Sequence, residues 1–202
     1  MLDILSFFII SGLIFIVVTV TMPTTPDLFM IIAFLFLIIP TVVALIQGAP
    51  FVPTPMKAAK KLINISGIKK GDKVIDIGCG DGRLVYLAAK EKEADSTGFE
   101  LSPLVYALAK IRQLLWKSKA KIKFGDFRMF DLSTCDFIVC YMLPETLNNF
   151  VPKFEKDMKK GAKIVSYAFQ ISRWKPVSII ASDPGEAISR IYIYEIGKQY
   201  KN

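Results

Sequence analysis

Val74-Ile-Asp-Ile-Gly-Cys-Gly-Asp-Gly-Arg83 decides how this chain is read. An apolar run carries one acid, Asp76, and three glycines follow at alternate positions, Gly78, Gly80 and Gly82. The pattern predicts a buried strand, a tight turn and then a helix. Glycine removes the side chain where the backbone bends sharply and where a bulky ligand approaches the main chain. Such a turn alone occurs in many nucleotide folds, so its surroundings matter. Glu100 lies 22 residues beyond Gly78, after a second short segment, Thr97–Phe99. An acid at about that spacing reaches ribose hydroxyls in nucleotide-binding folds. A third acid, Asp126, follows in Phe124-Gly-Asp-Phe127. The bland alternative is a turn with a capping Asp and ordinary surface acids, and it gives no reason for this order.

Outward from that turn, strands and helices alternate. Thr54-Pro55 reads as a helix start, with a capping hydroxyl and proline at the first helical position. Met56, Ala59, Leu62 and Ile63 form its apolar stripe, and Gly67 ends it. Strands are expected over 73–77, 95–99, 121–124, 136–140 and 162–168. A helix follows Gly82, and another runs from Ser102-Pro103 to about Lys117 with Leu104, Leu108, Ile111 and Leu115 on one face. The span from Pro144 to Lys160 reads as helical, interrupted near Pro152. Val177–Ala181 and Arg190–Ile196 flank the turn signal Asp183-Pro-Gly185 and read as a closing hairpin. This alternation predicts an α/β fold: a doubly wound, parallel-cored sheet with helices on both faces.

Composition divides the chain at position 50. Of its 202 residues, 52% are hydrophobic, and residues 1–50 hold no Lys or Arg and only two acids, Asp3 and Asp27. All 26 basic residues follow, so the body is markedly basic. Such a body suits acidic headgroups, nucleic acid or an acidic protein, or is simply solubilised by scattered lysines. Ile4–Met22 and Leu28–Ile46 are each 19 residues without a charge, about the length that crosses a hydrocarbon core as a helix. The helix-breaking link Pro23-Thr-Thr-Pro-Asp27 predicts a two-helix transmembrane hairpin over residues 1–50, ahead of a catalytic domain over 51–202. A signal peptide competes for the first run, but no positive leader region or cleavage site accompanies it. Lys57, Lys60 and Lys61 after the second run place the body on the cytoplasmic side. The chain has no His, which removes the commonest general base and metal ligand. Cys79, Cys135 and Cys140 have no metal or disulfide spacing, so no metal site is expected.

Taken together, Asp-x-Gly-x-Gly-x-Gly, Glu100 and Asp126 resemble the class I S-adenosylmethionine-dependent methyltransferases, over roughly residues 51–196. The resemblance implies a seven-stranded Rossmann-like sheet with S-adenosylmethionine as cofactor and S-adenosylhomocysteine as product. It implies that Asp76 and the loop Gly78, Cys79, Gly80 and Gly82 hold the methionine end. Glu100 would take the ribose, with Leu101 beside it, and Asp126 the adenine amino group, with Phe127 packed on the ring. After the fourth strand, Tyr141-Met-Leu-Pro-Glu145 lacks the Asp/Asn-Pro-Pro-aromatic motif of DNA amino-methyltransferases, so no nucleic-acid partner is expected. With Phe51-Val-Pro-Thr-Pro55 and Ser166-Tyr-Ala-Phe169…Trp174-Lys-Pro176, it resembles a narrower group. These are the membrane-attached protein lysine methyltransferases that include the enzymes for the ATP synthase c-subunit and the adenine nucleotide translocase.

That resemblance implies a bilayer and a membrane protein as partners. Catalytic roles would fall to Tyr141 and Glu145, which align the amine and receive its proton, and to Trp174, which with Phe51 walls a channel for the lysine stem. Plain packing of Tyr141 and Trp174, and a helix-start acid at Glu145, are the alternatives. A methyltransferase of a lipid, quinone or similar amphiphile is a second function, and a non-catalytic assembly factor that binds S-adenosylmethionine a third.

Overall fold

A computed structural model describes residues 51–198, with Ile31, Phe34, Leu35, Ile38, Val42 and Tyr200 besides. Those five positions before residue 51 are each helical. Among the described residues no helix is long and apolar enough to cross a membrane. The two runs expected to span one, and the domain division at position 50, fall almost wholly outside the described residues.

The strands are β1 (Lys73–Ile77), β2 (Asp95–Glu100), β3 (Lys121–Phe124), β4 (Phe137–Cys140), β5 (Lys163–Tyr167), β6 (Ser178–Ile180) and β7 (Ile191–Glu195). They form one sheet in the order β3-β2-β1-β4-β5-β7-β6. The first five are parallel, and β7 runs antiparallel to both β5 and β6. The expected closing hairpin is therefore present. The register Asp76↔Gly98 and Asp76↔Val139 puts β1 between β2 and β4. The strand order reverses there, and the crevice at the carboxyl ends of such strands is where open α/β sheets bind ligands.

Side-chain alternation assigns the two faces. Val74, Val139, Val165, Ile191 and Ile193 point to one face, which is covered by α1 (Met56–Ile65) and α2 (Arg83–Lys92). Ile77, Ile138, Cys140, Ile164 and Tyr194 point to the other, which is covered by α4 (Pro144–Asn149) and α5 (Val151–Asp157). The break before Pro152 falls at Phe150, which ends α4 and begins α5. A central strand buried on both sides reads as a continuous apolar run, as Phe137–Cys140 does.

Two local expectations are corrected. Thr54 does not cap α1 through its hydroxyl. Pro55 occupies the cap position in an extended conformation, and the buried Thr54 contributes its carbonyl to Arg83 instead. Between β3 and β4, where no element was expected, lies a 3-10 turn, Phe127–Met129, and Lys121, Thr97 and Lys123 on that side of the sheet keep some exposure. The second correction concerns α3 (Pro103–Leu115), of which only Ala109 is buried. It meets β3 and β2 through Ala109 and Tyr106, beside Ile122; of its expected apolar stripe, Leu104 and Leu108 are half-buried and Ile111 and Leu115 are exposed.

Candidate active site

The loop after β1 is held by its backbone. Gly78 and Cys79 both donate to the Phe99 carbonyl, at 2.9 and 2.8 Å. Gly78, Gly80 and Gly82 all have positive φ, at 103°, 57° and 81°, a region that L side chains rarely adopt. Space is equally restrictive. A Cβ on Gly80 would lie 2.8 Å from the Phe51 ring, and one on Gly98 would lie 2.6 Å from Cys79 Cβ. Phe51 thus rests on the centre of the loop, and Cys79 on the bare backbone of β2.

Asp76 is almost wholly buried at the end of β1 and has no hydrogen-bond partner among the described residues. Burial raises its pKa well above the ordinary carboxylate value, and the charges of Glu100 and Asp81 raise it further. A carboxylate this nearly buried is costly, because most of its hydration is lost without a hydrogen bond in its place. Glu100, at the end of β2, is partly buried and braced: its two oxygens accept from Gly80 N–H at 3.0 Å and Ser102 N–H at 2.8 Å. Burial raises its pKa, and the N–H groups of Ser102, Gly80 and Leu101 oppose that rise. A carboxylate offers about four lone-pair sites, so Glu100 retains capacity for ribose-type hydroxyls. Leu101 is half-buried beside it.

Asp81, also buried, is gripped by the guanidinium groups of Arg83 and Arg112. Arg83 further donates to the Thr54 carbonyl. One buried carboxylate thereby ties the glycine loop to α3 and to the segment that carries Phe51.

The remaining predicted residues divide. Asp126 lies just past the end of β3, but its carboxylate accepts from the Arg128 backbone N–H at 2.9 Å and from Arg128 Nε at 2.7 Å. Burial pushes its pKa up, yet the Arg128 hydrogen bonds outweigh that and hold it below the ordinary value. Phe127 does not face a ligand crevice. It is buried edge-on to Phe150, with ring centroids 4.7 Å apart, because the 3-10 turn directs it inward. Trp174 is fully buried between Phe154 and Tyr194, and its indole N–H donates to Glu155. A channel wall needs an open face, and Trp174 has none.

Tyr141, just past the end of β4, is half-buried. Its ring meets Tyr167 edge-on at 5.0 Å and stacks on Phe169 at 5.9 Å. Burial raises its pKa, with a further contribution from Tyr167, so it is a neutral phenol near pH ~7. Leu143 and Glu145 stand exposed two and four residues on, at the start of α4. Burial pushes Cys135 and Cys140 up to about 12 and Cys79 well above its ordinary value. All three thiols stay protonated, which disqualifies them as nucleophiles.

Two neighbours lay inside quoted motifs but were given no role there. Met142, one residue past Tyr141, places its methyl 3.6 Å from where a Gly78 Cβ would be. Tyr167 completes the aromatic group beneath Tyr141. The registers of β4 against β1 and β5, Asp76↔Val139 and Cys140↔Ser166, create these meetings.

Residues 76–178 match the model of the ANTKMT methyltransferase domain. A protein-lysine N-methyltransferase of Saccharolobus islandicus is 32% identical over 156 residues, covering 76% of this chain and 97% of that protein. In Mus musculus, the lysine N-methyltransferase of the ATP synthase c-subunit is 27% identical and that of the adenine nucleotide translocase 26%. Each aligns with nearly three quarters of this chain, which spans 59% and 63% of their lengths. Among solved structures, an RNA methyltransferase from Salinibacter ruber in complex with S-adenosyl-L-homocysteine superposes with a TM-score of 0.68. It is 24% identical and covers 75% of this chain and 97% of that one, a likeness of fold.

Proposed function

The chain belongs to the ANTKMT methyltransferase-domain family of S-adenosylmethionine-dependent enzymes, and we propose that it methylates lysine side chains of a protein held at a membrane. The observation that carries the acceptor reading is the aromatic group Tyr141–Tyr167–Phe169, set against the glycine loop through Met142. Three relatives named as lysine methyltransferases favour the same acceptor.

The residues fit the cofactor. The partnerless carboxylate of Asp76 suits an ammonium group, the bare loop Gly78–Gly82 admits a bulky ligand, and Glu100 keeps lone pairs for ribose hydroxyls. Asp126 contributes to the adenine end through whatever capacity Arg128 leaves it. When bound, S-adenosylmethionine supplies an electrophilic methyl group on a sulfonium. The chain's task is then to align a neutral amine and exclude water. The neutral phenol of Tyr141 offers the amine a hydrogen-bond partner, and the faces of Tyr141, Phe169 and Phe51 accept an aliphatic stem and attract its cationic form. Glu145, exposed at the mouth, draws the lysine in and receives its proton.

The membrane reading rests on the sequence. Two uncharged 19-residue runs precede the body, and lysines follow the second. They support a hairpin anchor that leaves the catalytic domain on the cytoplasmic side and concentrates membrane-bound acceptors.

The test incubates the full-length, detergent-solubilised protein and radiolabelled S-adenosylmethionine with membranes from a strain lacking the gene. A discrete labelled protein, unlabelled by Glu100→Ala and methylated on lysine by mass spectrometry, is expected. Label in the organic phase would move the acceptor to a lipid. No label despite cofactor binding would leave a non-catalytic protein.

A further inference from the structure

Helix α3 breaks the usual rule for a helix packed on a sheet. Its last turns expose large apolar side chains, with Ile111 57%, Leu114 78% and Leu115 71% exposed. Beside it, β3 is the edge strand of the sheet. On that edge Phe124 and Met129 are also exposed, at 51% and 84%. Several large apolar side chains exposed on one margin mark an interaction site.

Charge identifies the partner. From Leu101 to Gly125 there is no acid at all, while Lys110, Arg112, Lys117, Lys119, Lys121 and Lys123 are present. Arg112 and Lys121 are engaged with Asp81 and Asp95, and Lys110, Lys117 and Lys119 are exposed around the apolar stripe. We propose that the α3–β3 margin is a bilayer-contact surface, on which α3 lies in the plane of an anionic lipid interface with Ile111, Leu114 and Leu115 inserted. An outward apolar face ringed by lysines is the signature of an interfacial helix, and each lysine near an anionic surface adds to the attraction. Other occupants fit the charge less well. A second copy docking by the same margin would oppose lysines to lysines. The chain's own apolar run 28–46 is uncharged and has no use for them.

The contact is separate from any anchoring by residues 1–50, so its test reads one position. The native thiols are all buried, so Leu114→Cys in the full-length protein takes an environment-sensitive fluorophore selectively. Ile179→Cys, on β6 at the opposite sheet edge and also exposed, is the control. The protein is mixed with phosphatidylcholine vesicles with or without phosphatidylglycerol, and with brominated acyl chains as quenchers. Blue-shifted, quenched emission is expected at position 114 when phosphatidylglycerol is present. It should be absent at 179 and lost when Lys110, Lys117 and Lys119 are changed together to Glu. Aqueous emission at 114 while the protein still floats with the vesicles would assign attachment to residues 1–50 alone and overturn the proposal. A blue shift without lipid would also overturn it. If that shift grew with protein concentration, a second copy would cover the stripe; if not, the chain's own apolar run would.

Discussion

Asp76→Asn should raise the stability of the ligand-free domain at neutral pH while weakening its hold on S-adenosylmethionine. The carboxylate is buried, has no partner among the described residues, and faces the like charges of Glu100 and Asp81. Its pKa is therefore raised on folding. The folded state then binds the proton more tightly than the unfolded chain does, so stability is fully present below the unfolded value, near pH ~4. Stability falls as pH climbs from there to the raised folded value, and is level beyond it. Each unit of that rise is worth about 1.4 kcal/mol, and in a domain of this size one kcal/mol moves Tm by about 2–4 °C. The amide carries no charge and should abolish this slope. The Tm curves of the two proteins should converge near pH ~4 and separate by several degrees at neutral pH. The opposite holds for the cofactor. Losing a charge-assisted hydrogen bond costs about 1.5–3 kcal/mol, or roughly 10–150-fold in Kd. Wild-type affinity should rise with pH as Asp76 ionises, and that of the variant should not. Differential scanning fluorimetry and calorimetric titration over that pH range make the comparison. Parallel Tm curves, or unchanged Kd in Asp76→Asn, would refute the assignment of Asp76 as a strained, ligand-facing carboxylate.

Other substitutions probe the rest of the site. Gly98→Ala places a methyl against Cys79, with the Cβ atoms 2.6 Å apart. Overpacking of this kind costs about 1–3 kcal/mol, so Tm should fall by several degrees and cofactor affinity with it; an unchanged Tm would show that the loop yields freely. Tyr141→Phe keeps the ring contacts with Tyr167 and Phe169 and removes only the hydroxyl. kcat/KM on the labelled acceptor should drop about tenfold with Tm unmoved, the loss of one hydrogen bond of about 1 kcal/mol or a little more; full activity would make Tyr141 a packing residue. Trp174→Ala should cost about 3–5 kcal/mol on chemical denaturation and leave cofactor Kd unchanged in the folded fraction. A selective loss of activity in a stable protein would restore Trp174 to the acceptor channel.

What the sequence disclosed was largely local. The alternating glycines announced the loop because their φ values and close contacts leave little choice, and Glu100 stood out because its distance from that loop is the one expected of an acid that meets a ribose. Burial was harder to read. Leu104, Leu108, Ile111 and Leu115 have sound helical spacing, but periodicity shows only that a face is apolar, not that the protein covers it. Phe127 and Trp174 were misplaced for a related reason. Aromatic side chains serve a core and a pocket equally well, and only the 3-10 turn after β3 and the packing of α5 decided between them. The grip of Arg83 and Arg112 on Asp81 joins residues up to 31 apart, and Met142 meets Gly78 only because β4 lies beside β1. Neither pairing leaves a mark on sequence spacing.

The position of Phe51 sets a leash. Its ring rests on Gly80, so the chain is fastened to the cleft almost as soon as it leaves the apolar run that ends at Ile46. Five residues reach at most about 17 Å when fully drawn out. If that run is held in a bilayer, the cleft hangs within this radius of the membrane border, and the enzyme acts as a depth gauge. Lysines just outside the hydrocarbon layer fall within reach, while an equally exposed lysine at the far end of a large extramembrane domain does not. A flexible insertion between Ala49 and Phe51 would lengthen the leash and should widen the set of labelled lysines without altering the cleft.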